Sequence, residues 1–590
     1  MRLRLGRCLA GLPVSKAVLV VLFVAAGLYL RLDSLSSQLL LDDEWHSIGV
    51  ARHHSLAWLW TNYCGPGATS IPVNVYQRAV LCLFGWNEWL IRLPNVVCGV
   101  LMILGLPWLL RRLVGFNVVL WFLFFMATSP FLIFYSRSSR PYAIFALLSF
   151  LSILTLCLWI RDGTTSALIV FVVSAALAVY VHLFAAPTIA ACFVYWLATL
   201  LRRRLCSQRR LGMRSEWRGF LVAAVCTLLI VVVLYWQPYR NGMMAKLLAD
   251  PSLALEQYPW SGFYEYLCGT ASVAWLCVLG ALAVTGSAVL VSGGGIGLLV
   301  LLGIAVAANV AAVLATHAEC VDVPVVFTRY CIVSFPAFYV LCAIGGEWLR
   351  SWISRRSQWP LSGVIGNGAL ALAAVGYLWA TPNRALLTLK PNSFAMHSAF
   401  IESYRETDWE RPYRSQVCRE FAITEKDVPA FYAGIAGDNA VRAIVEYPMP
   451  IEDHYNIHYY YEHFHKKRVY VAYVPGEQSY PALAGQACPP MPPVGAFLYH
   501  ADGRQQDVDF TNLIDIWNPT AIRRTGASCF VVHKNYFAEI RAEKTVAMAP
   551  QAQAVSVYLR GLFGEPCYED SRLWVYAIGD ASRAACAARR

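Results

Sequence analysis

The chain has 590 residues, of which 58% are hydrophobic and only 14% charged, and its mean hydropathy is +0.49. Soluble domains carry about a quarter charged residues, so an ordinary soluble enzyme is excluded over most of the length. The +12 balance (48 Lys and Arg against 36 Asp and Glu) does not mark a nucleic-acid binder, because the basic residues cluster between apolar runs, as loop charges do in membrane proteins.

The N-terminus carries Arg2, Arg4 and Arg7 ahead of an apolar core from Ala17 to Leu30. This segment is expected to stay as a first span and not to leave as a signal peptide. Runs of about 18 or more apolar residues then recur. They predict about eleven spans, near 14–32, 92–110, 115–134, 141–160, 166–181, 184–201, 218–236, 272–291, 296–315, 330–348 and 361–380. Alternate loops hold Arg111 and Arg112, Arg161, the basic run 202–218, a glycine turn at 293–295, and Arg350 to Arg356. The positive-inside rule puts these loops and the N-terminus in the cytoplasm. Segments 33–91, 135–140, 237–271 and 316–329 and the tail 381–590 then lie outside. The expected localisation is a multi-pass protein of the plasma (inner) membrane with an extracytoplasmic C-terminal part.

That tail has ordinary polarity, with strand-like runs at Arg468–Val474, Cys529–His533 and Leu573–Ile578 and a helical pattern over Tyr455–His465. The expected fold class is therefore an α-helical polytopic membrane protein (residues 1–380, with a first external loop at 33–91) followed by an extramembrane α/β domain (381–590). Most of the 18 cysteines lie in apolar runs, where Cys behaves as a small hydrophobe. Cys418, Cys488, Cys529, Cys567 and Cys586 lie in the tail, where an oxidising compartment would let some pair, in an order that spacing does not fix.

Four groups of residues could carry chemistry, all on the outer side of the expected topology. Asp42, Asp43 and Glu44 follow the first span; a carboxylate there can take a proton from an incoming hydroxyl, or the cluster can simply end the helix. Arg137 and Arg140 occupy a short corner after Ser129-Pro130, where a planar guanidinium can hold phosphate oxygens or reach lipid headgroups. Arg329-Tyr330 opens the tenth span, and Tyr180-Val-His182-Leu-Phe184 forms the turn between the fifth and sixth. A lone His in apolar surroundings is more often structural than reactive. Carboxylates to accept a proton, arginines to hold an anion and an apolar bundle to receive a lipid tail are together what sugar transfer from a polyprenyl phosphate requires.

At these residues the chain resembles the bacterial membrane glycosyltransferases of the GT-C superfamily, in the protein-mannosyltransferase and aminoarabinose-transferase group. Asp43-Glu44 is similar to that family's Asp-Glu motif, and Glu88-Trp-Leu-Ile-Arg92-Leu93-Pro94 to its Glu-x-x-x-Arg-Leu-Pro. Tyr135-Ser136-x-x-x-Arg140-x-Tyr142 is similar to its Tyr-Ser-x-Glu-Ala-Arg-x-Tyr corner, the 180–184 turn to its Tyr-Thr-His-Tyr-Phe, and Arg329-Tyr330 to its late Arg-Tyr. The resemblance implies a polyprenyl-phosphate sugar donor, an inverting displacement and Asp43 as base, with Glu44 beside it. It implies donor-phosphate contacts from Arg137, Arg140 and Arg329, with Asp42, Arg92, Tyr135, Tyr142, His182 and Tyr330 in support. Two departures stand out. Ser70-Ile71-Pro72-Val73-Asn74-Val-Tyr76 replaces a His-Pro-Pro or acidic segment, and Ser138 replaces the corner's Glu. These leave the acceptor (lipid, glycan or protein) and any divalent cation open, with no other cofactor implied.

Two features stand apart. His454, His458 and Glu462 share one helix face by i, i+4 spacing, which can chelate zinc but also describes a solvated face. Tyr239, Tyr258, Trp260, Phe263, Tyr264 and Tyr266 in the external stretch 237–271 form either an interfacial belt or a sugar-stacking surface. A transporter of lipid-linked saccharides would carry charges mid-span, whereas here they lie at span ends. A non-catalytic membrane scaffold is the other alternative, and it would make Asp43 dispensable.

Overall fold

The computed structural model describes residues 14–33, 35, 44–244 apart from 45–46, 49, 52–53, 66–67, 86 and 207–212, and 258–356 apart from 318–320 and 322–323. It further describes 368, 372–373, 375–381, 428–447, 461, 465, 467–473, 495–499, 526–535 and 550–578. The chain divides into a helical unit (1–36, 46–388 and 399–405) and a second unit (37–45, 389–398 and 406–590).

The helical unit runs α1 (Val14–Leu32), α2 (Leu56–Thr61), α3 (Ile71–Phe84), α4 (Glu88–Leu110), α5 (Phe116–Thr128), α6 (Pro130–Ser136), α7 (Tyr142–Asp162), α8 (Thr165–Val181) and α9 (Ala185–Cys206). It continues with α10 (Met213–Arg240), α11 (Trp260–Cys268), α12 (Val273–Ser292), α13 (Ile296–Thr316), α14 (Pro324–Tyr330) and α15 (Ser334–Arg356). Among the described residues seven helices are long and apolar enough to cross a membrane. Counting α5 with α6 and α14 with α15 as broken spans gives nine, and the expected count of eleven is not met. The shortfall has two sources. Helix α8 has 17 residues, short for a hydrocarbon core of about 30 Å, and the expected span 361–380 lies largely outside the described residues. Val233, Val284 and Leu229 are more than half exposed on helix faces, as expected where lipid covers the surface. The protein is a multi-pass membrane protein.

Lipid tails are as apolar as leucine, so close packing and interhelical hydrogen bonds hold such a bundle together. At the crossing of α12 with α15, Gly286 and Gly345 face each other, and a Cβ on either would strike the carbonyl of Leu341 or Leu282. Ser152 and Ser174 hydroxyls join α7 to α8 at 2.8 Å, and Asn309 Nδ2 of α13 donates to the Phe184 carbonyl at 2.9 Å. At one end of the bundle the basic loops meet. Arg161 bonds the Arg112 carbonyl, Arg203 pairs with Glu216 at 2.9 Å, and Lys16, Asn117, Glu347 and Arg350 form a chain of contacts of 2.6 to 2.9 Å. Of the aromatic residues of α11, Tyr266 is buried, Phe263 and Tyr264 are half-buried and Trp260 is exposed. Trp260 and Phe263 pack edge-on against Phe327, and Tyr266 lies on Phe131, while Tyr239 in α10 stays exposed.

The second unit contains α16 (Ala430–Ala436), β1 (Ala443–Tyr447), β2 (Arg468–Tyr473), β3 (Gly495–Tyr499), β4 (Cys529–His533), α17 (Pro550–Phe563), β5 (Tyr568–Glu569) and β6 (Leu573–Ala577). The sheet order is β3-β2-β1-β4-β6-β5, with β1 parallel to both β2 and β4 and the outer pairs antiparallel. All five residues of β1 are buried, as a central parallel strand requires. Val555, Leu559 and Phe563 of α17 pack into a core with Val445, Phe530 and Trp574. Cys529 is buried and Cys567 half-buried, and the other three tail cysteines lie outside the described residues.

Candidate active site

The site begins with two broken helices. Proline has no N–H, so Pro130 leaves the Met126 carbonyl, four residues back, without its helical donor. The chain bends by 58° between α5 and α6. Arg31, fully buried at the end of α1, fills the gap: Nη2 donates to Met126 O at 2.8 Å and Nη1 to Ala127 O at 3.0 Å. The second break, 80° between α14 and α15, is packed against the first. Phe131 and Phe335 stack at 4.8 Å with planes 8° apart, and Tyr339 donates to Ser129 Oγ at 2.8 Å.

These breaks deliver cations to the end of the bundle opposite the basic loops. Arg137 caps α6, donating from Nη1 to Leu30 O at 3.1 Å and from Nη2 to Asp33 O at 2.7 Å. It thereby satisfies carbonyls that the end of α1 leaves open. Arg92, buried on α4, lies within electrostatic range of Arg137. Arg140 follows at the corner, its guanidinium carbon 5.8 Å from the Tyr142 ring centre. Arg329, at the end of α14, places its own 5.3 Å from that same ring and 5.5 Å from Tyr330. The His182 ring lies 5.5 Å from Tyr142 and 5.7 Å from Tyr330, and Tyr135 packs edge-on to Tyr142 at 4.8 Å. The structure thus gathers Arg140, Arg329, Tyr135, His182 and Tyr330 around the Tyr142 ring. All six are nearly or fully buried.

His182 stands in the turn between α8 and α9, stacked on Phe145 at 5.1 Å. Its Nδ1 accepts from the Phe184 N–H at 3.3 Å, so the proton of a neutral ring sits on Nε2. Burial, and then the nearby Arg140 charge, pull its pKa from 6.5 down to about 3. The imidazole is neutral at working pH. Tyr63, from the segment after α2, lies beside Tyr330, and burial pushes its phenol well up.

The stretch expected as an open external loop, 33–91, instead contains α2 and α3. Helix α3 turns polar side chains inward: Asn74 and Gln77 are fully buried. Gln77 Nε2 donates to Ser47 Oγ and to the Ser139 carbonyl, both at 3.0 Å, joining α3 to the residue before Arg140. Tyr76 donates to Leu90 O at 2.7 Å. Sequence reasoning missed Arg31, Asn74 and Gln77. The readable signals were a proline inside a span and two amides at i, i+3.

Asp42 and Asp43 lie outside the described residues. Glu44 is helical and buried, and it belongs to the second unit. His454, His458 and Glu462 also lie outside the described residues. Among the described residues no group of three His, Cys, Asp or Glu side chains could hold a metal ion.

Residues 72–236 match the family model of dolichyl-phosphate-mannose-protein mannosyltransferase. No curated protein matches the chain. Among solved structures, ArnT from Cupriavidus metallidurans in the apo state is 15% identical with a TM-score of 0.51, over 95% of this chain and 98% of that one. ArnT bound to undecaprenyl phosphate gives 14% identity and the same TM-score over the same shares. At that identity the likeness is one of fold, and it extends over nearly the whole of both chains.

Proposed function

We propose, from the premise that this chain is a membrane glycosyltransferase of the GT-C superfamily, that it moves a sugar from a polyprenyl-phosphate donor to a hydroxyl acceptor on the outer face of the membrane. The observation that carries this reading is the pair of guanidiniums, Arg140 and Arg329, converging on the Tyr142 ring. In a buried setting a fixed cation is worth far more to an anion than it is in water. That ArnT binds undecaprenyl phosphate supports the donor class.

In the proposed step the bond from the anomeric carbon to the phosphate oxygen breaks as the acceptor oxygen attacks from the opposite side, inverting the centre. The phosphate leaves as polyprenyl phosphate, and Arg140 and Arg329 hold the charge that grows on it. Asp43 takes the acceptor's proton, with Glu44 orienting base or acceptor. Neutral His182 offers its Nε2–H as a donor without competing for that proton. Arg137 keeps the arginine corner in place against the end of α1.

The test is binding of undecaprenyl phosphate alone to the purified full-length protein. Arg140→Ala and Arg329→Ala should each weaken it by about tenfold or more, as for loss of a charge-assisted hydrogen bond. Arg140→Lys should recover only part, because an ammonium lacks the planar fork. Wild-type affinity in both alanine variants would remove the phosphate role.

A further inference from the structure

Four buried oxygens crowd a stretch of nine residues beside the arginine corner, and none of them has a hydrogen-bond partner among the described residues: Thr69 Oγ1, Ser70 Oγ, Asn74 Oδ1 and Gln77 Oε1. Ser70 is the N-cap of α3, where a serine ordinarily accepts from an amide of the first turn, yet its side chain makes no capping bond. The amide orientations are fixed by their other ends. Asn74 Nδ2 faces the Ala68 carbonyl at 2.9 Å, and Gln77 Nε2 faces the Ser139 carbonyl. A carbonyl only accepts, so in each amide the unpartnered atom is the oxygen. Asn74 and Gln77 are one and zero per cent exposed, and at i, i+3 they share a face of the helix. Leaving such a group unmet costs about 1–3 kcal/mol, so four together mark a surface built to be completed by something else.

What completes it follows from the chemistry of the four atoms. Two are amide oxygens, which accept only, and two are hydroxyls, which accept or donate. None is charged, and no carboxylate stands among them to hold a divalent cation. The face lies one residue from Arg140 through the Gln77–Ser139 bond, and the segment that leads into it carries Tyr63 against Tyr330. A neutral group rich in hydroxyls, attached next to a phosphate, matches this neighbourhood.

Resting on the donor reading above, we infer that Ser70, Asn74 and Gln77, with Thr69, form the subsite for the transferred sugar and select a neutral, polyhydroxylated glycosyl group by accepting hydrogen bonds from its hydroxyls.

The experiment compares two probes on the full-length protein: undecaprenyl phosphate alone, and undecaprenyl phosphate carrying glucose, mannose or galactose. Wild type should bind at least one of the sugar-charged probes more tightly than the bare lipid. Ser70→Ala and Asn74→Leu should each erase about three- to tenfold of that gain, the worth of one hydrogen bond, and leave the bare lipid's affinity unchanged. Ser70→Ala removes a hydroxyl that makes no bond to any described residue, so the ligand-free protein should melt no lower than wild type. A structural role predicts the opposite pattern, a lower melting temperature with the sugar gain intact, and that result overturns the inference. Wild-type protein that binds the bare lipid but gains nothing from any of the three sugars overturns it as well. Wild type that fails to bind the bare lipid would instead sink the donor reading.

Discussion

Arg31 Nη2 meets the Met126 carbonyl at 2.8 Å, the oxygen that Pro130 leaves without a backbone donor. The break in the α5–α6 span is therefore completed by a side chain from α1. Charge-assisted bonds of this kind contribute about 1.5–3 kcal/mol each. Arg31→Met should lower the melting temperature in detergent markedly. Pro130→Ala restores an N–H at that position, so the cost of Arg31→Met should be smaller in that background. Equal costs in the two backgrounds, measured as a double-mutant cycle, would separate Arg31 from the break.

His182 gives a pH signature. Its folded pKa is depressed to about 3 from 6.5, so between those values the unfolded chain binds a proton that the folded protein does not. The stability this implies is complete above pH 6.5 and is lost as pH falls toward 3. Melting curves of His182→Phe should lose less stability than wild type across that window. Transfer measured between pH 6 and 8 should show no inflection that disappears in His182→Asn.

Asp43 is the proposed base. Asp43→Asn keeps the shape and removes the proton acceptor, so transfer should fall by roughly 10²–10⁴-fold. Asp42→Asn should cost much less, because adjacent side chains point in different directions in either a helix or a strand. A dead Asp42→Asn beside an active Asp43→Asn would move the base by one residue. Full activity in both, and in Glu44→Gln, would leave the enzyme without its base.

Topology is open to direct measurement. The basic residues gathered at one end of the bundle, Arg112, Arg161 and Arg203, predict under the positive-inside rule that this end faces the cytoplasm. A reporter active only in the cytoplasm should be silent when fused after Arg590 and active when inserted after Arg161. Activity at both positions would put the sheet-bearing unit on the wrong side for an external role.

Long apolar runs made most of the helical bundle legible, because a span announces itself by length and composition alone. Arg140, Tyr142, His182, Arg329 and Tyr330 could be named because each interrupts an apolar stretch at its end. Their convergence was not readable, since it depends on two bends that bring α6 and α14 to one place. Helix α3 went unread because its polar face turns inward, which reverses the usual rule. Arg31 looked like an ordinary helix-end charge because its partners are 95 and 96 residues away. In the second unit β2, β4 and β6 were expected, but β1, β3 and β5 were missed. Ala-Ile-Val-Glu-Tyr is short, buried on both faces and shows no alternation.

The stack of Phe131 on Phe335 makes the two bent spans a pair of jaws with a common pivot. The two breaks carry α6 toward Arg140 and α14 toward Arg329, and an aromatic pair at their junction is worth about 0.5–1.5 kcal/mol beyond its buried area. A smaller side chain at Phe335 removes that contact without altering any charge. On the donor reading proposed above, it should weaken the binding of undecaprenyl phosphate and speed its release.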